Sequence, residues 1–177
     1  MTAAAPASTI RGTIMFTDIV GFTEFTALRG DGEALALLTA QEQIVRSVLG
    51  GPARIVKDMG DGLMIWFEDP CAAIEAALCM QDRFEETTME SDAPLSVRIG
   101  VHAGQQTRRG EDLVGHDVNV ASRIMSLAGA GEVLTSEATV RAIADVPATL
   151  IFECLGPAVM KGIPTPVDLY RAARTLE

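Results

Sequence analysis

Two aspartates stand where an apolar run gives way to a turn. Asp18 lies near the end of Gly12-Thr13-Ile14-Met15-Phe16-Thr17-Asp18-Ile19-Val20-Gly21-Phe22-Thr23. Asp61 sits in Lys57-Asp58-Met59-Gly60-Asp61-Gly62, just ahead of Leu63-Met64-Ile65-Trp66-Phe67. One aspartate after a strand is most often a turn residue or a helix cap. Two of them, at the ends of strands expected to be neighbours, offer hard oxygen donors of the kind magnesium takes. That ion uses one or two carboxylates and completes its shell with water and phosphate oxygens.

Other residues carry chemistry that matches a nucleotide. Lys57 precedes Asp61 by four residues in an otherwise apolar run, where an amine needs a partner or a ligand. Asp112 closes a polar stretch before Leu113-Val114-Gly115. A lysine donor and an aspartate acceptor complement the N1 and N6 edge of adenine, whereas guanine presents the reverse pattern and leaves both groups unpaired. Asn119 and Arg123 fall one turn apart on a helical face, where Arg forks onto phosphate oxygens and Asn orients a ribose. Lys161, next to Gly162, stands in a loop from which it can reach a terminal phosphate.

The elements that must position these groups follow from periodicity. A strand is predicted over about Gly12 to Ile19, then two helical stretches broken near Arg29-Gly30-Asp31-Gly32. Ala53 to Met59 and Leu63 to Phe67 read as a hairpin around Gly60-Asp61-Gly62. Pro70 opens a helix with Ala73, Ala77, Met80 and Phe84 on one side. Leu95 to His102 alternates as a half-buried strand, with Ser96, Arg98 and His102 on its polar face, and a polar arm runs from Gln105 to Asp112. A helix over about Asp117 to Ala128 packs through Val118, Ala121, Met125 and Ala128. A short strand, a short helix and two further strands complete the chain. This order is α+β: a ferredoxin-like βαββαβ palm sheet with helices on one face plus extra C-terminal strands.

The 177 residues suit one domain, read as a flexible tail over 1–9 and a folded domain over 10–174. A hydrophobic share of 48% against 21% charged residues excludes a disordered chain. The net charge of −10 disfavours a nucleic acid polymer as partner, and no basic stripe offsets it. Cys71, Cys79 and Cys154 form no ligand spacing and are expected to be reduced thiols, which points to the cytoplasm. The first nine residues have the marks of neither a signal nor an anchor, and no apolar run reaches membrane-spanning length.

Taken together, the motifs Phe16-Thr17-Asp18-Ile19-Val20-Gly21-Phe22-Thr23, Lys57-Asp58-Met59-Gly60-Asp61-Gly62, Arg98-Ile99-Gly100-Val101-His102-Ala103-Gly104 and Val118-Asn119-Val120-Ala121-Ser122-Arg123, with Lys161-Gly162, make the chain resemble the class III nucleotidyl cyclase catalytic domain over roughly Ile10 to Arg174. The resemblance implies conversion of ATP to cyclic AMP and pyrophosphate, as in adenylate cyclases acting in signal transduction. Two divalent cations, Mg²⁺ or Mn²⁺, would be held by Asp18, Asp61 and the Ile19 carbonyl. Lys57 and Asp112 match the adenine-selecting pair, Lys161 the triphosphate lysine, and Asn119 and Arg123 the transition-state residues. Guanylyl enzymes of the family carry Glu and Cys at the purine positions. Many relatives are also expected to have an arginine where Gln105 stands, with Arg108 or Arg109 as substitutes here. A head-to-tail homodimer with sites shared between subunits is implied as well. The alternatives are a guanylate cyclase, a nucleotide-binding regulatory module without turnover, and a polymerase- or diguanylate-cyclase-like palm domain.

Overall fold

A computed structural model describes residues 7–176. Its elements run β1 (Thr9–Ile19), α1 (Phe22–Arg29), α2 (Asp31–Val48), β2 (Arg54–Asp58), β3 (Leu63–Phe67), α3 (Pro70–Glu90), β4 (Val97–Arg109), β5 (Asp112–Val114), α4 (His116–Leu127), β6 (Val133–Ser136), α5 (Glu137–Ala142), β7 (Leu150–Ala158) and β8 (Val167–Arg174). The strands form one sheet in the order β2-β3-β1-β4-β6-β8-β7, with β5 paired to β4. Its first four strands have the order of a split βαβ unit, as the element sequence predicts. All neighbours are antiparallel except β4 and β6, and the crossover between those two contains α4.

Local chemistry sets the joints. Gly30, at φ 86°, separates α1 from α2 in a region that side chains with a Cβ avoid. Asp69 caps α3 by accepting from the Ala72 amide at 2.8 Å, with Pro70 in the first turn.

Alternation along β1 divides the core. Met15 and Ile19 point to the face covered by α2 and α3, among Leu37, Val45, Ala73, Ala77 and Phe84. Ile14 and Phe16 point to the other face, where they meet Val118 and Ala121 of α4. The α+β class holds, but α4 lies opposite α2 and α3, so the helices cover both faces. The reason is that β1 and β3 bury apolar residues on both sides, and the second side also needs a cover. A third cluster joins Val120 and Ile124 of α4, and Ala128 just after it, to Leu134 and Leu169 of the C-terminal strands.

The predicted polar arm is regular structure instead. Strand β4 runs on to Arg109 and turns back at Gly110 (φ 63°) into β5, pairing Thr107 with Val114 and Arg109 with Asp112. Gln106 explains the continuation: it is buried, donates to the Gly12 carbonyl at 3.2 Å and accepts from the Trp66 indole at 3.3 Å. The same extension draws in part of the expected tail. Thr9 pairs with Thr107, and the Arg108 amide donates to the Ser8 carbonyl at 2.9 Å. Residues 1–6 of that tail lie outside the described residues.

Candidate active site

The turn carrying Asp61 is sewn to the end of β1 from several directions. Gly60 takes φ 97°, and its amide donates to Asp58 Oδ1 at 2.7 Å. A Cβ on Gly62 would sit 1.8 Å from the Thr17 carbonyl, so the turn lies against the β1 backbone and only glycine fits. The Ile19 amide donates to the Asp61 carbonyl at 2.9 Å. Thr17 Oγ1 donates to Gln41 at 2.8 Å and accepts from the Leu63 amide at 3.1 Å. These bonds bring Asp18 and Asp61 together, as their flanking strands predict, with Ile19 beside them.

Three influences act on the Asp18 carboxyl. Burial pushes the Asp18 carboxyl above its ordinary value, Arg98 opposes this, and the charge of Asp61 adds to the rise. Two carboxylates beside each other suit a positive charge between them. Among the described residues no cluster of three or more His, Cys, Asp or Glu is arranged to hold a metal. The donor set therefore fits a hard ion that takes its remaining ligands from carbonyl, water and phosphate oxygens.

Arg98 is a residue to which sequence reading gave no role. It stands directly across from Asp18 in the β1–β4 register, and its Nε and Nη2 both lie 2.8 Å from Asp18 Oδ2. Its Nη1 donates to the Ser126 carbonyl of α4 at 3.2 Å. The signal was its place on the polar face of an alternating strand. Gln105, by contrast, stands seven positions further along β4, opposite Arg11, about 23 Å from Asp18 at ordinary strand rise. The guanidinium beside the carboxylate pair is thus that of Arg98, and Gln105 leaves no gap there. Gln41 was missed too. It interrupts the apolar stripe of α2 between Leu37 and Val45, is buried, and bonds Thr17.

The second predicted pair also forms. Lys57 Nζ donates to Asp112 Oδ2 at 2.9 Å, with both side chains about one third exposed. The Lys57 bond is the main cause holding the Asp112 carboxyl below its usual range. A bulge between Ile55 and Lys57 in β2, and the β4–β5 hairpin folded back toward β2, set the two side chains face to face.

Helix α4 carries Asn119 and Arg123 on its exposed face. Its seat on β4 explains the alternating Arg98-x-Gly100-x-His102-x-Gly104 pattern. A Cβ on Gly100 would lie 2.2 Å from the Met125 amide nitrogen, and one on Gly104 would lie 2.1 Å from Asp117 Oδ2. The glycines thus permit close approach, while Arg98 and His102 bond the helix at Ser126 and Asp117. Lys161 is exposed in the loop between β7 and β8. Among the described residues no side-chain bond engages Asn119, Arg123 or Lys161, and none joins either of the two pairs directly to them.

The chain belongs to the adenylate and guanylate cyclase catalytic domain family, which matches it over residues 6–172. It is 31% identical over 93% of its length to the serine/threonine-protein kinase pkn2 of Myxococcus xanthus, and 30% identical over 92% to a pH-sensitive adenylate cyclase of Mycobacterium tuberculosis. It spans 20% and 40% of those two proteins. Among solved structures, an adenylate cyclase of Trypanosoma brucei superposes with a TM-score of 0.80 at 25% identity, covering 99% of this chain and 94% of that one. The adenylyl cyclase CyaB of P. aeruginosa gives 0.78 at 26% identity, covering 96% and 98%. No helix among the described residues is long and apolar enough to cross a membrane.

Proposed function

We propose that this domain is an adenylate cyclase, converting ATP to 3′,5′-cyclic AMP and pyrophosphate at sites completed by a second copy of the chain. The observation that carries the choice of ATP is the Lys57–Asp112 pair, a donor and an acceptor held 2.9 Å apart. Adenine inserted there accepts a hydrogen bond from Lys57 at N1 and donates one from N6 to Asp112, so each group exchanges its partner for a base edge.

Asp18 and Asp61, with the Ile19 carbonyl, would hold two divalent cations, Mg²⁺ or Mn²⁺. When bound, such ions supply acidification of the ribose 3′-hydroxyl and neutralisation of the pyrophosphate. The chain's residues do the positioning. Arg123 stabilises charge on the α-phosphoryl group, Asn119 fixes the ribose, and Lys161 and Arg98 meet the outer phosphates. Attack by the 3′-oxygen on the α-phosphorus is in line with the departing pyrophosphate. Asn119 and Arg123 face solvent, which supports their serving a site on a second chain.

The test is product formation from ATP and, separately, GTP with Mg²⁺ or Mn²⁺, beside an Asp18→Ala control. Cyclic AMP that disappears in the control is the expected result. Cyclic GMP in excess of cyclic AMP overturns the purine assignment, and no cyclic product from a folded dimer overturns the enzyme.

A further inference from the structure

A buried polar chain runs behind α4. His102 of β4 is 6% exposed, with Nδ1 2.6 Å from Ser136 Oγ and Nε2 3.2 Å from Asp117 Oδ1. Asp117 Oδ2 accepts from the Gln105 amide at 2.7 Å. At the other end, Ser136 Oγ accepts from the Thr139 amide at 3.3 Å and lies 3.1 Å from Thr139 Oγ1, which accepts from the Ala103 amide at 3.0 Å. Both ends return to the main chain of β4, on either side of Gly104.

Only one placement of protons satisfies every member with His102 neutral. Asp117, ionised, can only accept, so Nε2 carries the ring proton. Nδ1 then accepts from the Ser136 hydroxyl, and Ser136 accepts from the Thr139 hydroxyl. A second ring proton would oppose Ser136 to a donor and break this order. The charged and titratable groups around the ring are Asp117 and His116 of α4, Glu137 of α5 and Asp168 of β8.

We infer that His102, as the Nε2–H tautomer, is a positioning residue that fixes the first turn of α4 and through it the direction of Asn119 and Arg123. Asp117 lies in that first turn, two residues before Asn119, and its second oxygen is already held by Gln105. With Gly104 closing the space behind it, Asp117 has one orientation, and the helix takes its rotation about its own axis from that contact. The inference rests on the proposed cyclase reading for its consequence in turnover, though not for the network itself.

The experiment compares the full chain with His102→Leu, which loses both ring bonds, and His102→Gln, which keeps an amide donor toward Asp117. Turnover of ATP in H102L is expected to fall about 100-fold with KM little changed, the mark of misplaced transition-state groups. H102Q is expected to keep most of the turnover and to lose the acid limb of the pH profile. A spectrum of ¹⁵N-histidine-labelled protein should show the Nε2–H tautomer. If H102L folds poorly, Ser136→Ala removes only the donor to Nδ1 and should lower turnover in the same sense. Unchanged turnover in a folded H102L chain, or an Nδ1–H tautomer, overturns the inference. If the wild-type chain makes no cyclic product, the cyclase reading has failed. Amide exchange in the first turn of α4 then decides for the network alone: faster exchange in H102L supports it, and equal exchange overturns it.

Discussion

At Asp18 three influences meet on one carboxylate. Burial and Asp61 favour its neutral form, while Arg98 favours the charge. On the proposed reading, a cation held between the two aspartates would offset both burial and their mutual repulsion. Lys57 and Asp112 show the opposite balance, since each neutralises the other. Lys57→Ala should raise the pKa of the Asp112 carboxyl, read by NMR titration, and should lower the preference for ATP over GTP at least tenfold by kcat/KM. Equal preference in the variant would remove Lys57 from purine choice. His102 gives a stability prediction. Burial depresses its pKa below the ordinary value of about 6.5, so the unfolded chain takes up the proton first. Stability is full above that value and declines as pH falls through it toward the depressed folded pKa. The denaturation midpoint should drop as pH falls below about 6.5, and less so in H102Q; identical curves would count against this account.

At the scale of elements, the fit of α4 to β4 governs the site. Gly100 stands where a methyl group would meet the Met125 backbone at 2.2 to 2.5 Å, and a main chain cannot step aside as a flexible side chain can. Gly100→Ala should therefore cost about 1–3 kcal/mol by overpacking, seen as a lowered denaturant midpoint, and should reduce turnover by lifting Arg123. Unaltered stability would show that α4 sits more loosely than the contacts indicate. The hairpin of β4 and β5 matters in the same way. Read as a polar loop, it would leave Asp112 unplaced. As paired strands it carries that carboxylate back to Lys57.

At the scale of the whole molecule, the two predicted pairs and the α4 residues form three groups among the described residues, with Arg98 bonded to both Asp18 and α4. The proposed site divided between two chains would account for this, because each chain would then offer its metal aspartates to one site and its Lys57–Asp112 pair and α4 to the other. Mixing Asp18→Ala chains with Lys57→Ala chains should restore up to one intact site in each heterodimer, measured as cyclic AMP formation after subunit exchange. A mixture as inactive as its parents, with exchange confirmed, would defeat the shared site. The fold that this arrangement needs follows the family closely, since 99% of the chain superposes on a T. brucei adenylate cyclase.

The residue types and their order alone picked out both aspartates, Lys57 and Asp112, and the helices and strands other than β5 and the outer half of β4, because alternation and helical spacing are local properties of the chain. Asp18 and Lys57 were legible since each interrupts an apolar run, and Asp61 since it sits in a glycine-flanked turn just ahead of one. Tertiary structure decided what depends on distant neighbours. Arg98 became part of the site only through the register that sets it across from Asp18, eighty residues away. Gln41, placed in an apolar stripe, bonds a threonine on another element. The face chosen by α4 and the extension of β4 beyond Gln105 were likewise beyond local reading. Burial on both sides of a strand, and the partner that satisfies a buried amide, are fixed only when the sheet is assembled.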